Sequence, residues 1–344
     1  MGGGTARAPN GYVVEGARIL DAANEVVRLR GANLPGLIWD AVGSSITAGD
    51  LEMLASWGAN VVRIGLNQGF WLTGGSGCDS ACYRARVAEV VGFARTAKLD
   101  VILDLHWATA NGAVEPQFVG MADADSVRFW SDVAAAYQSD GRVLFELYNE
   151  PHDLDWSTWK NGGTVTSAYD PDTTDADYST PASITYEASG MQALYAAVRA
   201  TGAHNLVIAG GLDWSFDLSQ VPSFHLDGYN VVYATHLYPY SGKLPDTWQS
   251  AFGFLKDQVP LIASEFGPGN SVTEPCPTDY VDRIIAYADA TPMHWTAWDW
   301  YAAGSPSDPY PECQAAFFFA EAEPGHPVYA RTPFGERIKT ELMR

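Results

Sequence analysis

Short apolar runs alternate with amphipathic stretches along most of this chain. Eight runs, at 27–33, 61–66, 101–106, 143–149, 206–210, 231–236, 261–266 and 295–299, are mostly rich in Val, Ile and Leu and end in polar or small residues. Such runs predict strands buried on both faces, as in a parallel sheet. Between them, apolar positions recur at helical spacing over 50–57, 83–97, 126–138, 186–200, 246–255 and 280–289. In the first of these, Leu51, Leu54 and Ala55 share one side. A last helix is predicted over 333–343, with Pro333 at its start. Strand–helix alternation sustained through eight strands predicts an α/β fold, a (β/α)8 TIM barrel.

Three segments depart from this rhythm. Residues 12–14, 18–20 and 26–28 alternate around Glu15-Gly16 and Asn24, which predicts a short N-terminal hairpin at the barrel bottom. Residues 152–181 are rich in Gly, Thr, Ser and Asp without an apolar period, which predicts a long loop on the active-site face. Residues 1–10 are expected to be a flexible or vector-derived start, leaving 11–344 as one barrel domain.

Composition narrows the class. Of 344 residues, 47% are hydrophobic and 18% charged, enough apolar material for a large core and too much for a disordered chain. Lys and Arg number 20 against 41 Asp and Glu, a net charge of −21 that repels nucleic acid and anionic membranes. Neither is an expected partner. No apolar run reaches the ~18 residues of a membrane span. The 12 tryptophans suit a cleft that stacks the flat apolar faces of sugar rings.

Four cysteines, Cys78, Cys82, Cys276 and Cys313, sit in turn-rich segments. Of the three possible pairings, Cys78–Cys82 and Cys276–Cys313 are expected, each stapling a local loop. Disulfides favour a secreted protein, although the first residues lack an apolar signal core. With no CxxC pair, a zinc site is not expected, and no metal or cofactor is.

In a barrel, chemistry sits at the C-terminal ends of the strands. Arg63, His106, Asn149-Glu150, His236 with Tyr238, Glu265 and Trp298 cluster there. Glu150 and Glu265 each follow a strongly apolar strand, where a charge is costly unless paired or functional. Two carboxylates facing one cleft are what glycoside hydrolysis requires.

With these residues in barrel order, the chain resembles glycoside hydrolase family 5, the cellulase family of the retaining (β/α)8 clan. The likeness rests on Asn149-Glu150-Pro151 after LFELY, Ser264-Glu265-Phe266-Gly267 after PLIA, His236-x-Tyr238, Arg63, His106 and Trp298. It runs from the GYVVEGARILD opening to the TPFGERIK tail. It implies Glu150 as acid/base and Glu265 as nucleophile, with carboxyl groups about 5–5.5 Å apart. Asn149 would bind the sugar 2-hydroxyl. Arg63 and Tyr238 would hydrogen-bond the nucleophile and keep it ionised. His106 and His236 would line the site, His236 supporting the acid/base. Trp298 or its neighbour Trp300 would form the sugar platform.

Other tryptophans, Trp39, Trp71, Trp107, Trp156 and Trp214, follow strands or lie in loops, and Trp39, Trp107 and Trp214 are further expected sugar contacts. Asp170, Asp172, Asp175 and Asp177 could ligate calcium but lack the glycine and terminal Glu of an EF-hand, so a solvated acidic loop is expected. His204, His225, His294 and His326 are expected to be structural or exposed. The expected function is a secreted, monomeric, retaining endo-β-1,4-glucanase acting on β-glucan. β-Mannanase, β-1,3-glucanase, exo-β-glucosidase and a non-catalytic carbohydrate-binding barrel are the alternatives.

Overall fold

The computed structural model describes residues 6–109, 119–169, 182–269, 275–320 and 330–344. Eight parallel strands close into a barrel in chain order: β1 (Arg30–Leu34), β2 (Val61–Asn67), β3 (Asp100–Trp107), β4 (Val143–Glu146), β5 (Val207–Gly210), β6 (Val231–Leu237), β7 (Leu261–Phe266) and β8 (His294–Ala297), which pairs back to β1. Each predicted run holds one of them. The largest boundary differences are at β1, which starts only at Arg30, and at β4, which ends at Glu146 and frees Asn149 and Glu150 to sit beyond the ladder; β8 ends at Ala297.

The bore is built in layers because side chains alternate faces every residue. Its floor is apolar: Leu29, Val61, Ile102, Leu144, Leu206, Ile208, Val232, Ala234 and Ile262 form one buried cluster. Tyr12 and Ile19 of the N-terminal hairpin (Val13–Glu15 with Arg18–Leu20) belong to the same cluster and close the bottom, as expected. Two residues further along several strands, the character inverts. Asn33, Arg63, Asp104, Glu146 and Ser264 are all buried. A polar layer on an apolar floor is what the site stands on.

A much larger apolar cluster lies between the strands and the outer helices. The helix Ala124–Tyr137 shows how the sequence sets its place. Asp123 caps it by accepting from Ser126 N, and Phe129, Trp130, Val133 and Ala134 fall on its buried face.

Several expectations need correction. The helix predicted over 186–200 begins only at Met191, because Ala182–Ala188 is a strand paired antiparallel with Gly163–Tyr169. The predicted loop at 152–181 therefore contains that strand, and before it the helix Trp156–Asn161. Asp155 caps this helix, and Trp156 and Trp159, three apart, share its buried face. The helix predicted over 246–255 is only Trp248–Ala251 followed by a 3-10 turn. Within residues 6–10, Ala8 is buried, and Pro9 O accepts from Gly141 N at 3.0 Å. The acidic group Asp170, Asp172, Asp175 and Asp177, and His326, lie outside the described residues. His294 is structural, accepting from Leu29 N at 3.0 Å, and His204 meets the Tyr229 hydroxyl.

Both disulfides are formed, Cys78–Cys82 with Cα atoms 5.3 Å apart and Cys276–Cys313 at 5.6 Å. The second closes 37 residues and ties the segments after β7 and β8. A closure of that length is worth roughly 4 kcal/mol on chain-entropy grounds. Among the described residues, no helix is long and apolar enough to cross a membrane.

Candidate active site

Arg63 anchors the site from within β2, not from its end as the sequence suggested, and its side chain is fully buried. A buried guanidinium must satisfy five N–H donors, and five acceptors surround it. Nε meets Glu146 Oε2 at 2.6 Å. Nη1 meets Asn33 Oδ1 at 2.8 Å and Glu265 Oε1 at 2.6 Å. Nη2 meets Asn149 Oδ1 at 2.7 Å and Asp104 Oδ2 at 3.0 Å. Burial alone would weaken its hold on the proton, but Asp104, Glu146 and Glu265 strengthen it. One permanent cation thus organises three carboxylates and two amides.

Asn149 is oriented as a consequence. Its Oδ1 is spent on Arg63, so its Nδ2 points the other way, 3.4 Å from His106 Nε2. His106 Nδ1 in turn lies 2.8 Å from Asp104 Oδ2. Burial lowers His106 to about 4, so it is neutral near pH 7. With Nδ1–H donated to Asp104, its Nε2 is left as an acceptor for the amide. Burial pushes Asp104 up to about 7, against the pull of Arg63.

The two glutamates have different surroundings. Glu265, on β7, receives Arg63 on Oε1 and the Tyr238 hydroxyl on Oε2 at 3.0 Å. Glu150 has no arginine in contact. Its Oε1 lies 2.8 Å from His236 Nδ1, its side chain keeps some solvent exposure, and burial raises its pKa against the pull of His106, His152 and Arg63. Burial also lowers His236 to about 4. A register shift between Thr235 and His236 pairs His236 with Glu265 and brings β6 and β7 to the site together. One oxygen of Glu150, one of Glu265 and a ring nitrogen of His236 lie within 4.8 Å of one another. That spacing could also hold a cation, which would compete with the hydrogen bonds these groups already make.

Aromatic rings wall the cleft. Trp298 stacks on His106, centroids 5.3 Å apart and 14° from parallel. Trp300 does not join it and is a core residue instead. It packs on Trp57 and Phe318 and points its Nε1 at Asp50 Oδ1. Trp71 and Trp156 are buried in the core as well. Trp39 is 43% exposed, edge-on to Tyr301, and Trp107 is half-buried at the end of β3. Trp214 is 38% exposed and lies flat on His152, centroids 3.6 Å apart. Three successive left-handed residues, Asp213, Trp214 and Ser215, hold it there, a costly backbone for non-glycine residues. Ser215 Oγ donates to Asn149 O at 2.6 Å, so this turn is tied to the Asn149-Glu150 segment.

Sequence reasoning missed Asn33, Asp104, Glu146 and Ser264. Asp104 and Glu146 are charges within otherwise apolar strands, and Asp104 stands two residues before His106 on the same face. That spacing was the available signal. Asp299 was also missed: burial and Glu265 push its carboxyl up to about 8.

Comparison with known proteins fits this geometry. The family model described as cellulase (glycosyl hydrolase family 5) matches residues 20–304. Endoglucanase CelA of Streptomyces lividans is 24% identical over 77% of this chain and 50% of its own length. Endoglucanase MaCel5A of a Microbulbifer species is 30% identical over 41% of this chain and 26% of its own length. The chain thus spans about half, or less, of these curated relatives. Among solved structures, β-glucanase SdGluc5_26A of Saccharophagus degradans superimposes with a TM-score of 0.73 at 19% identity, over 98% of this chain and 94% of that one.

Proposed function

Because the chain belongs to glycosyl hydrolase family 5, we propose that it is a retaining endo-β-1,4-glucanase. The observation that carries this reading is the unequal pair of carboxyls in one cleft. Glu265, bonded to Arg63 and Tyr238, is suited to attack as an anion. Glu150, raised by burial and facing a neutral imidazole, is suited to hold a proton and give it to the leaving oxygen. Oxygens of the acid and the nucleophile lie within 4.8 Å of each other, a closeness that supports double displacement over inversion. In the first half, Glu265 attacks the anomeric carbon while Glu150 protonates the departing oxygen. In the second, Glu150 takes a proton from water, which releases the sugar from Glu265. The Asn149 amide N–H, turned away from Arg63, donates to the sugar 2-hydroxyl.

The substrate class rests on the relatives and the rings. The curated relatives are endoglucanases, and SdGluc5_26A has also been solved with cellotetraose. Trp39, Trp214 and Trp298 follow β1, β5 and β8, at the end of the barrel that carries the two glutamates, and their rings suit stacking on sugar faces. The two disulfides support action outside a reducing cytosol. Reducing-sugar release should be greatest on carboxymethylcellulose or lichenan. Greater release from mannan or laminarin would move the assignment to another polysaccharide.

Glu150→Ala separates the two roles. Cleavage of cellulose, a poor leaving group, should fall by roughly 10²–10⁴-fold. Glycosylation by an activated aryl β-cellobioside should persist, since its leaving group needs little protonation, and added azide should speed its turnover. Equal loss on both substrates, with no effect of azide, would remove Glu150 as acid/base.

A further inference from the structure

A chain of hydrogen bonds runs from Glu150 away from the cleft and ends on the same arginine that holds Glu265. His236 Nδ1 faces Glu150 Oε1 at 2.8 Å, and its Nε2 faces Ser264 Oγ at 3.0 Å. Ser264 Oγ is 2.8 Å from Glu146 Oε1, and Glu146 Oε2 is 2.6 Å from Arg63 Nε. Every group behind Glu150 is buried, so water cannot substitute for a missing partner. Neither Ser264 nor Glu146 reaches the cleft, and the function proposed above uses neither.

The direction of these bonds can be worked out from the far end. Glu146 accepts from Arg63 on one oxygen, and as a carboxylate it can only accept on the other. The Ser264 hydroxyl must therefore donate to Glu146. Its lone pairs are left for His236, so Nε2 must carry the imidazole proton. A neutral imidazole has one N–H, and Nδ1 is then bare. We infer that Ser264 and Glu146 are positioning residues that hold His236 as its Nε2–H tautomer and so aim an Nδ1 lone pair at Glu150.

This inference rests on the proposed role of Glu150 only in its catalytic consequence. A lone pair facing Glu150 is satisfied when Glu150 is protonated and donates to it. It repels the ionised form. The tautomer therefore keeps the acid protonated before bond cleavage and makes it a stronger base afterwards. The opposite tautomer would donate to the carboxylate and stabilise the anion. The other charged or titratable groups around the pair are Glu265, with Oε2 3.7 Å from Nδ1, Arg63 and His106 from β2 and β3, and Asp104, Tyr238 and Tyr240, which feel the charge of Glu150. His152 and Lys243 act on Glu150 from the loops. None of these supplies a proton donor to Nε2.

Glu146→Gln reverses the logic without removing a side chain. Arg63 Nε requires the amide oxygen, so the amide nitrogen must face Ser264 and donate. Ser264 must then donate to Nε2, and the proton moves to Nδ1. Nitrogen-15 NMR of histidine-labelled protein, with His236 assigned by its loss in His236→Gln, reads the tautomer without turnover. The expected result is a protonated Nε2 in the parent, a protonated Nδ1 in Glu146→Gln and a mixture in Ser264→Ala. A protonated Nδ1 in the parent, or the same tautomer in the parent and both variants, would overturn the inference. The alkaline limb of kcat/KM, which requires protonated Glu150, should move down by about one pH unit in Glu146→Gln. A switched tautomer with an unmoved limb would uphold the positioning roles of Ser264 and Glu146 and instead reject Glu150 as the acid.

Discussion

Glu265→Ala should lose on the order of 10⁵-fold in kcat on every substrate, activated or not. The loss follows from what Glu265 alone provides. Its Oε1 is held by Arg63 and its Oε2 by Tyr238, so the carboxylate is aimed before substrate arrives. Alanine leaves the cleft with no atom to form the glycosyl bond, and an easier leaving group cannot compensate. This separates Glu265 from Glu150, whose loss an activated leaving group should mask. The check is steady-state turnover of both variants on carboxymethylcellulose and on an aryl β-cellobioside. If Glu265→Ala kept its activity on the aryl substrate while Glu150→Ala lost it, the two roles would be exchanged.

Arg63→Met should cost stability as well as activity, by roughly 3–5 kcal/mol at neutral pH. That is a large share of the ~5–15 kcal/mol typical of a folded domain. The methionine fills much of the volume, so packing is not the main loss. The cost comes from Asp104, Glu146 and Glu265, left around a buried space with no cation. They can stay buried only by taking up protons. Burial already raises Asp104 to about 7 and also raises Glu146, and Arg63 opposes both shifts. Carboxyls raised in the folded state contribute stability that is full below their ordinary value near 4 and is lost as pH rises through the folded value. Without Arg63 those folded values climb further. The gap in melting temperature between variant and parent should therefore widen from pH 5 to pH 8. A gap that is constant with pH would mean that shape, not charge, is what Arg63 provides.

The barrel was legible because most strands are short runs rich in Val, Ile and Leu, and because burial on both faces makes such runs stand out between amphipathic helices. Glu150 and Glu265 were legible for a related reason: a carboxylate directly after a hydrophobic strand has no structural excuse on the page. Asp104 and Glu146 were not, since a single charge inside DVILDLHW or VLFE looks like noise in a core strand until the alternation is counted from the apolar floor. The Trp298–Trp300 ambiguity arose from that same alternation. Two tryptophans two apart share a face in a strand, but β8 stops at Ala297. Beyond it the backbone turns, sending Trp298 onto His106 and Trp300 into the cluster with Trp57 and Phe318. The last three residues of the strand Ala182–Ala188 were misread as the start of a helix because Tyr186 and Ala188, both buried, also continue the helical spacing of 191–200.

The configuration of the first sugar released bears on the whole mechanism at once. Proton NMR of an early cello-oligosaccharide digest, recorded before mutarotation, distinguishes the two anomers. Glu265 as a nucleophile within 4.8 Å of Glu150 requires two inversions at the anomeric carbon, so the β-anomer should appear first and the α-anomer only later. An α-anomer at the earliest time points would contradict it, and would make Glu265 a base acting on water.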